Sequence, residues 1–124
     1  MSAPAPVLYS DAIRERWRRP RFRGELTGVT ASAEDVNPLC GDRVRMMVSM
    51  DGPIIRAVGF VGDSCAICTA SADVVAELAQ GRTADEVRAL GAGDVLAALN
   101  ADVRPTRMRC VTLPLSVIGK ALGS

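Results

Sequence analysis

An α+β fold, a small three-stranded antiparallel sheet with helices packed on it, is predicted by three features of this 124-residue chain. An amphipathic helical segment opens it and stops at Pro20. Two apolar-rich segments then face each other across the turn Asp51-Gly52-Pro53. After Gly62 the apolar spacing changes from the period of a strand to the 3.6-residue period of a helix.

Taken in order, Val7 to Arg18 places Leu8, Ile13 and Trp17 among charged residues, the pattern of a surface helix ended by proline. Residues 1–6 carry no structural signal and are expected to be disordered. Glu25 to Val36, Arg43 to Met50 and Ile54 to Val61 read as strands. In the second, Val44, Met46 and Val48 alternate against Arg43, Arg45 and Ser49, and Met47 interrupts the alternation. Asp51-Gly52-Pro53 makes the last two strands a hairpin, so the sheet is expected to be a meander. Asp63 or Ser64 is then expected to cap a helix with Ile67, Ser71, Val74, Val75 and Leu78 on its inner face, ending at Gly81. Thr83-Ala84-Asp85-Glu86 is a capping-box pattern for a short helix to Leu90. Asp94 to Leu99 supplies another, and a last helix is expected from Cys110 to Leu122, with Pro114 confined to its first turn, where a missing N–H has no duty.

Composition sets the frame. At 48% hydrophobic and 23% charged, residues 1–124 read as one globular domain with a core of its own. A formal net charge of +1 argues against a nucleic-acid binder. Arg14, Arg16, Arg18, Arg19, Arg21 and Arg23 crowd the N-terminal region, a pattern read either as a solvated helix end or as a docking patch for an acidic partner. Met1 to Pro6 lacks the basic start and apolar run of a secretory leader. No apolar stretch approaches the ~18 residues that cross a bilayer. A cytoplasmic setting without membrane association is therefore expected. There, clustered cysteines more often bind metal or catalyse than form disulfides.

The chain has four cysteines and no histidine. Three separate segments each bring thiols: Asn37-Pro38-Leu39-Cys40-Gly41-Asp42, Gly62-Asp63-Ser64-Cys65-Ala66-Ile67-Cys68 and Arg107-Met108-Arg109-Cys110. Thiolates select zinc, copper(I) or iron–sulfur clusters over magnesium or calcium. Cys65 and Cys110 are each expected near a helix N-terminus, where the macrodipole favours the thiolate and lowers its pKa, with Arg109 acting the same way on Cys110. Gly41 allows a positive φ or a close backbone approach. Asp42, two residues past Cys40, offers an oxygen as a fourth and harder ligand, or an ordinary Asx turn. Cys68 shares a helix face with Cys65 and is read as a further ligand, a resolving thiol or a packing residue.

These residues resemble the U-type iron–sulfur cluster assembly proteins: the IscU scaffolds, the zinc-bearing SufU sulfur acceptors and the NifU N-terminal domain. The resemblance is carried by Leu8-Tyr9, Arg19-Pro20-Arg21 and Gly24, by Asn37 to Arg43, by Gly62 to Ile67 with Ala70-Ser71-Ala72, and by Pro105 to Leu113. It covers residues 8 to 122, in order. It implies the SufE/NifU-like fold, with Cys40, Cys65 and Cys110 as persulfide acceptors and, with Asp42, as ligands of Zn2+ or a [2Fe–2S] cluster. It further implies a pyridoxal-phosphate cysteine desulfurase as sulfur donor and iron–sulfur carrier or client proteins downstream. Arg109 stands where the scaffold branch has histidine, as in the zinc branch. The compact stretch before Cys110 is instead like the scaffolds. The function this implies is a scaffold and sulfur acceptor, with a zinc-dependent sulfurtransferase of the SufU type or a structural-zinc module as alternatives. A thiol–disulfide enzyme built on Cys65 and Cys68 is a further rival, although the βαβ context of such enzymes is missing.

Overall fold

The computed structural model describes residues 10–39 and 41–123. The elements are α1 (Asp11–Arg18), β1 (Ala31–Asn37), β2 (Asp42–Asp51), β3 (Ile54–Asp63), α2 (Ala66–Ala79), α3 (Ala84–Arg88), α4 (Ala92–Leu99) and α5 (Met108–Ala121), with a 3₁₀ turn at Pro105–Arg107. The strands form one antiparallel sheet in the order β1-β2-β3, the expected meander. Helix α5 packs on β1 and β2, α2 lies beside it against β3, and α1 and α4 pack on α2. No described helix is long and apolar enough to cross a membrane.

Helix α2 is the centre of the core. Twelve of its residues are buried, so it is covered on more than the single face expected from its spacing. On the sheet, Val44, Met46 and Val48 join the same core as α2 and α5. Met47 points to the other face and is buried as well, pairing with Gly59, over which the Leu26 side chain lies. That covering is why the alternation fails at Met47.

Several expected boundaries move. Helix α1 begins at Asp11, because the Ser10 side chain accepts from the Ile13 N–H and caps it; residues 1–9, with Leu8 and Tyr9, lie outside the described residues. Residues 25–30 are not strand. The chain turns at Thr27 and Gly28, and just before this Phe22 and Gly24 exchange backbone hydrogen bonds with Phe60 on the outer edge of β3. The bridge shields an otherwise open sheet edge. Helix α5 starts earlier than expected, which puts Pro114 in its interior rather than its first turn. An interior proline costs about 3 kcal/mol. Val111, Leu113, Val117 and Ile118 are all buried around it, at about 1.5–3 kcal/mol each, and their burial outweighs that cost. The Thr83–Glu86 capping box forms as expected.

The N-terminal arginines divide by role. Arg16 reaches Asp73 at 2.9 Å and Glu77 at 3.1 Å, and Asp73 also accepts the Phe22 backbone N–H at 2.9 Å. Arg21 pairs with the same Glu77. Arg16 thus clamps α1 and the following linker to α2 and is not free for a partner, whereas Arg18, Arg19 and Arg23 are exposed. Because Asp73 is fully buried, removing one side of this pair leaves a charge without compensation. Arg16→Ala, which strands the buried Asp73 carboxylate, should lower stability by about 3–5 kcal/mol in chemical denaturation; a loss below about 1 kcal/mol would show that the clamp is not structural.

Candidate metal centre

The antiparallel register brings the site together. Asn37 pairs with Asp42 across the β1–β2 loop, and Arg43 and Val44 pair with Asp63 and Gly62, so the start of β2 lies beside the end of β3. Asn37 closes the loop: its side-chain oxygen accepts from the Leu39 N–H and its carbonyl from the Gly41 N–H. Gly41 takes the positive φ expected of it, +74°. Gly62 has φ +154°, and a Cβ there would stand 2.0 Å from the Arg43 carbonyl oxygen. Only glycine lets β3 run this close to β2 before the chain turns into α2.

Cys65 itself is the N-cap of α2, in place of the expected Asp63 or Ser64. Its sulfur accepts from the Cys68 N–H at 3.4 Å, while the Ser64 hydroxyl pairs with Thr69. Asp42, 3% exposed, reaches across from β2. Its Oδ1 accepts the Cys65 N–H at 2.8 Å, and its Oδ2 lies 3.8 Å from Cys65 Sγ and 3.5 Å from Cys110 Sγ. Cys110 is the third residue of α5 and fully buried. Pro114, four residues on, brings no N–H to the Cys110 carbonyl, so the helix is loosened at the ligand-bearing turn.

One donor atom from each of Asp42, Cys65 and Cys110 lies within 4.8 Å of the others. A tetrahedron of oxygen and sulfur around zinc, with bonds of about 2.0–2.3 Å, has edges of about 3.5–3.8 Å. The separations from Asp42 Oδ2 match those edges, so the donor set fits a zinc or iron ion. Cys68 stands outside this trio. Cys40, the remaining expected ligand, lies outside the described residues.

The guanidinium at the site is that of Arg107, not Arg109. Arg107 faces the sulfurs of Cys110 and Cys65, which hold it more firmly protonated, and its Nε is buried with no hydrogen-bond partner among the described residues. Arg109 is exposed and lines a groove of about 300 Å³ with Asp35, Val36 and Thr112. The signal for Arg107 was its place one helical turn before Cys110. Two thiolates and a carboxylate bring three negative charges, of which Arg107 offsets one; a divalent cation would neutralise the rest.

The lowered thiol pKa expected for Cys110 does not appear. Burial pushes it up from 9.0 to about 12, against the opposing effect of Arg107, and burial likewise raises Cys68. Both folded values lie above the ordinary thiol value, so the stability tied to these neutral thiols is fully present below about pH 9 and is lost as pH climbs toward 12. The denaturation midpoint of the metal-free chain should accordingly fall above pH 9, and Cys110→Ala should flatten that fall. A midpoint level from pH 8 to 11 would refute the assignment.

A family model described as the NifU-like N terminal domain matches residues 8–124. The bifunctional protein NifU/MnmA of Rubrobacter xylanophilus is 31% identical over 117 residues, covering 94% of this chain and 24% of that protein, so the chain spans about a quarter of its length. The zinc-dependent sulfurtransferase SufU of Bacillus subtilis is 25% identical over 138 residues, covering 98% of this chain and 93% of the relative. A crystal structure of a protein named for iron–sulfur cluster assembly in the SUF system of Fervidobacterium islandicum AW-1 superposes with a TM-score of 0.79 at 26% identity, covering 93% and 96% of the two chains. The sheet order, the helices packed on one face and the Asp42–Cys65–Cys110 trio are thus found in a chain that belongs to the NifU-like N-terminal domain family.

Proposed function

We propose that this chain is an iron–sulfur cluster assembly scaffold and sulfur acceptor. It takes sulfane sulfur from a pyridoxal-phosphate cysteine desulfurase and holds a zinc ion or a nascent [2Fe–2S] cluster for transfer to iron–sulfur carrier or client proteins. The observation that carries this reading is the convergence of the Asp42, Cys65 and Cys110 donor atoms within 4.8 Å. Cys40 joins them as the third thiolate on the strength of its sequence motif.

Cys65 is the accessible nucleophile of the described pair, half-buried where Cys110 is fully buried. Its thiolate attacks the terminal sulfur of the desulfurase persulfide. The persulfide S–S bond breaks, the desulfurase thiolate leaves, and the sulfur remains on Cys65 as a new persulfide. Position at a helix N-terminus stabilises the attacking anion, and Arg107 lies beside it. A bound metal would supply charge that keeps the thiolates deprotonated. The carboxylate of Asp42 binds a soft metal less firmly than sulfur does, which suits a cargo meant to leave. Exposed Val36 and Leu39, at 44% and 84%, offer apolar contact to a partner beside the first ligand loop.

A second reading, a zinc-dependent sulfurtransferase without a scaffold role, is favoured by Arg109 in place of histidine and by the likeness to SufU. Both readings require one metal site per chain on the same donors. Cys40→Ser, Cys65→Ser and Cys110→Ser should each weaken metal binding by at least the 10–100-fold typical of losing an outer-shell partner, while Cys68→Ser should retain the metal. Unchanged metal content in all three ligand variants would sink the proposal. Unfolding on metal removal would favour a purely structural zinc instead.

A further inference from the structure

Cys68 stands outside the Asp42–Cys65–Cys110 trio, yet its backbone N–H lies against the sulfur of Cys65. Helix α2 opens Cys65-Ala66-Ile67-Cys68, with the half-buried Cys65 as cap and the fully buried Cys68 as third residue. The Cys68 N–H donates to Cys65 Sγ at 3.4 Å. As the N-cap, Cys65 turns its side chain toward the N–H of the third helical residue, Cys68, and a disulfide needs Cβ atoms about 3.5–4.5 Å apart, so a modest tightening of this first turn joins the sulfurs. Ser64 supplies a side-chain hydrogen bond to Cys68. Cys110, the other thiol near Cys65 among the described residues, sits on a different helix and shares Asp42 and Arg107 with it. Discharge through Cys68 therefore leaves Cys110 and Asp42 free to hold metal.

We propose that Cys68 is a resolving thiol, and that the Cys65–Cys68 dithiol is a built-in two-electron reductant converting sulfane sulfur on Cys65 into sulfide. This deepens the sulfur-acceptor reading and rests on Cys65 as the carrier. Cys68 attacks Cys65 Sγ, the sulfur to which its own backbone N–H donates. The Cys65–Cys68 disulfide bond forms, the bond from Cys65 Sγ to the terminal sulfur breaks, and hydrosulfide leaves with the proton from Cys68. The sulfane sulfur falls from oxidation state 0 to −2, and the two cysteine sulfurs each rise from −2 to −1. An external dithiol restores both thiols by exchange. The chemistry meets a need of the proposed product, since the bridging atoms of an iron–sulfur cluster are sulfide and the delivered sulfur is not.

The test loads the full chain with inorganic polysulfide, removes excess by gel filtration without added thiol, and follows released sulfide together with peptide mapping. The wild type should release sulfide and gain a Cys65–Cys68 disulfide. Cys68→Ser should keep one extra sulfur atom on Cys65 and release sulfide at least about tenfold more slowly. Cys68→Ala, checked by its thermal melt, should behave the same and guards against a folding defect in the serine variant. Equal release from the Cys68 variants, a wild-type disulfide joining Cys65 to Cys110 instead, or no extra sulfur on Cys65 in either variant would overturn the proposal. A parallel arm supplies cysteine and a cysteine desulfurase. Failure to load Cys65 in that arm alone counts against the sulfur-acceptor reading, while the polysulfide arm still decides the role of Cys68.

Discussion

The Asp42 carboxylate is the interaction on which the site depends. It stands at the first residue of β2, 3% exposed, and each oxygen has a separate task. Oδ1 holds the backbone N–H of Cys65 and so fixes where α2 begins; Oδ2 lies against the sulfurs of Cys65 and Cys110. A carboxylate taken out of water must be compensated by hydrogen bonds or opposite charge. Here the compensation comes from the ends of two helices, so a sheet, α2 and α5 are tied at one point. The same negative charge helps raise the pKa values of Cys110 and Cys68, which keeps these two buried thiols protonated in the metal-free chain. A cation reconciles these demands, because it favours thiolate over thiol while accepting the carboxylate as a ligand.

Much of this was legible in the chain. The meander, the hairpin turn, the Thr83 capping box and the coming together of Asp42, Cys65 and Cys110 follow from alternation, turn residues and the three cysteine segments. What local reading missed was set by tertiary contacts. Residues 25–30 have strand-like composition, but their neighbours Phe22 and Gly24 are claimed by the edge of β3. Pro114 breaks a rule of helix interiors because four buried neighbours outweigh it. Arg109 adjoins Cys110 in sequence, yet Arg107, a helical turn earlier, shares its face. The thiol pKa was misjudged for a reason of magnitude. A helix terminus contributes about 0.3–1 kcal/mol, and one pKa unit is about 1.4 kcal/mol, so burial that lifts Cys110 from 9.0 to about 12 prevails.

The two cysteines of the first turn of α2 illustrate how one helix end can serve two chemistries. Cys65 turns its sulfur to Asp42 and Cys110 on one side and lies over the Cys68 N–H on the other. The first arrangement is the proposed metal site; the second is the proposed dithiol. Gly62 makes both accessible by letting β3 run close against β2 before the chain enters the helix. Scaffold, sulfur carrier and sulfide source are in this view consecutive states of a single set of donors rather than separate sites.

The central claim is that an oxygen from Asp42, and not the sulfur of Cys68, completes the metal site. X-ray absorption at the zinc edge of the zinc-loaded chain tests this directly, because sulfur and oxygen neighbours scatter at different distances, about 2.3 Å and about 2.0–2.2 Å. The account predicts three sulfur neighbours and one oxygen, with the oxygen lost or replaced by solvent in Asp42→Ala. Four sulfur neighbours in the unaltered chain would contradict it.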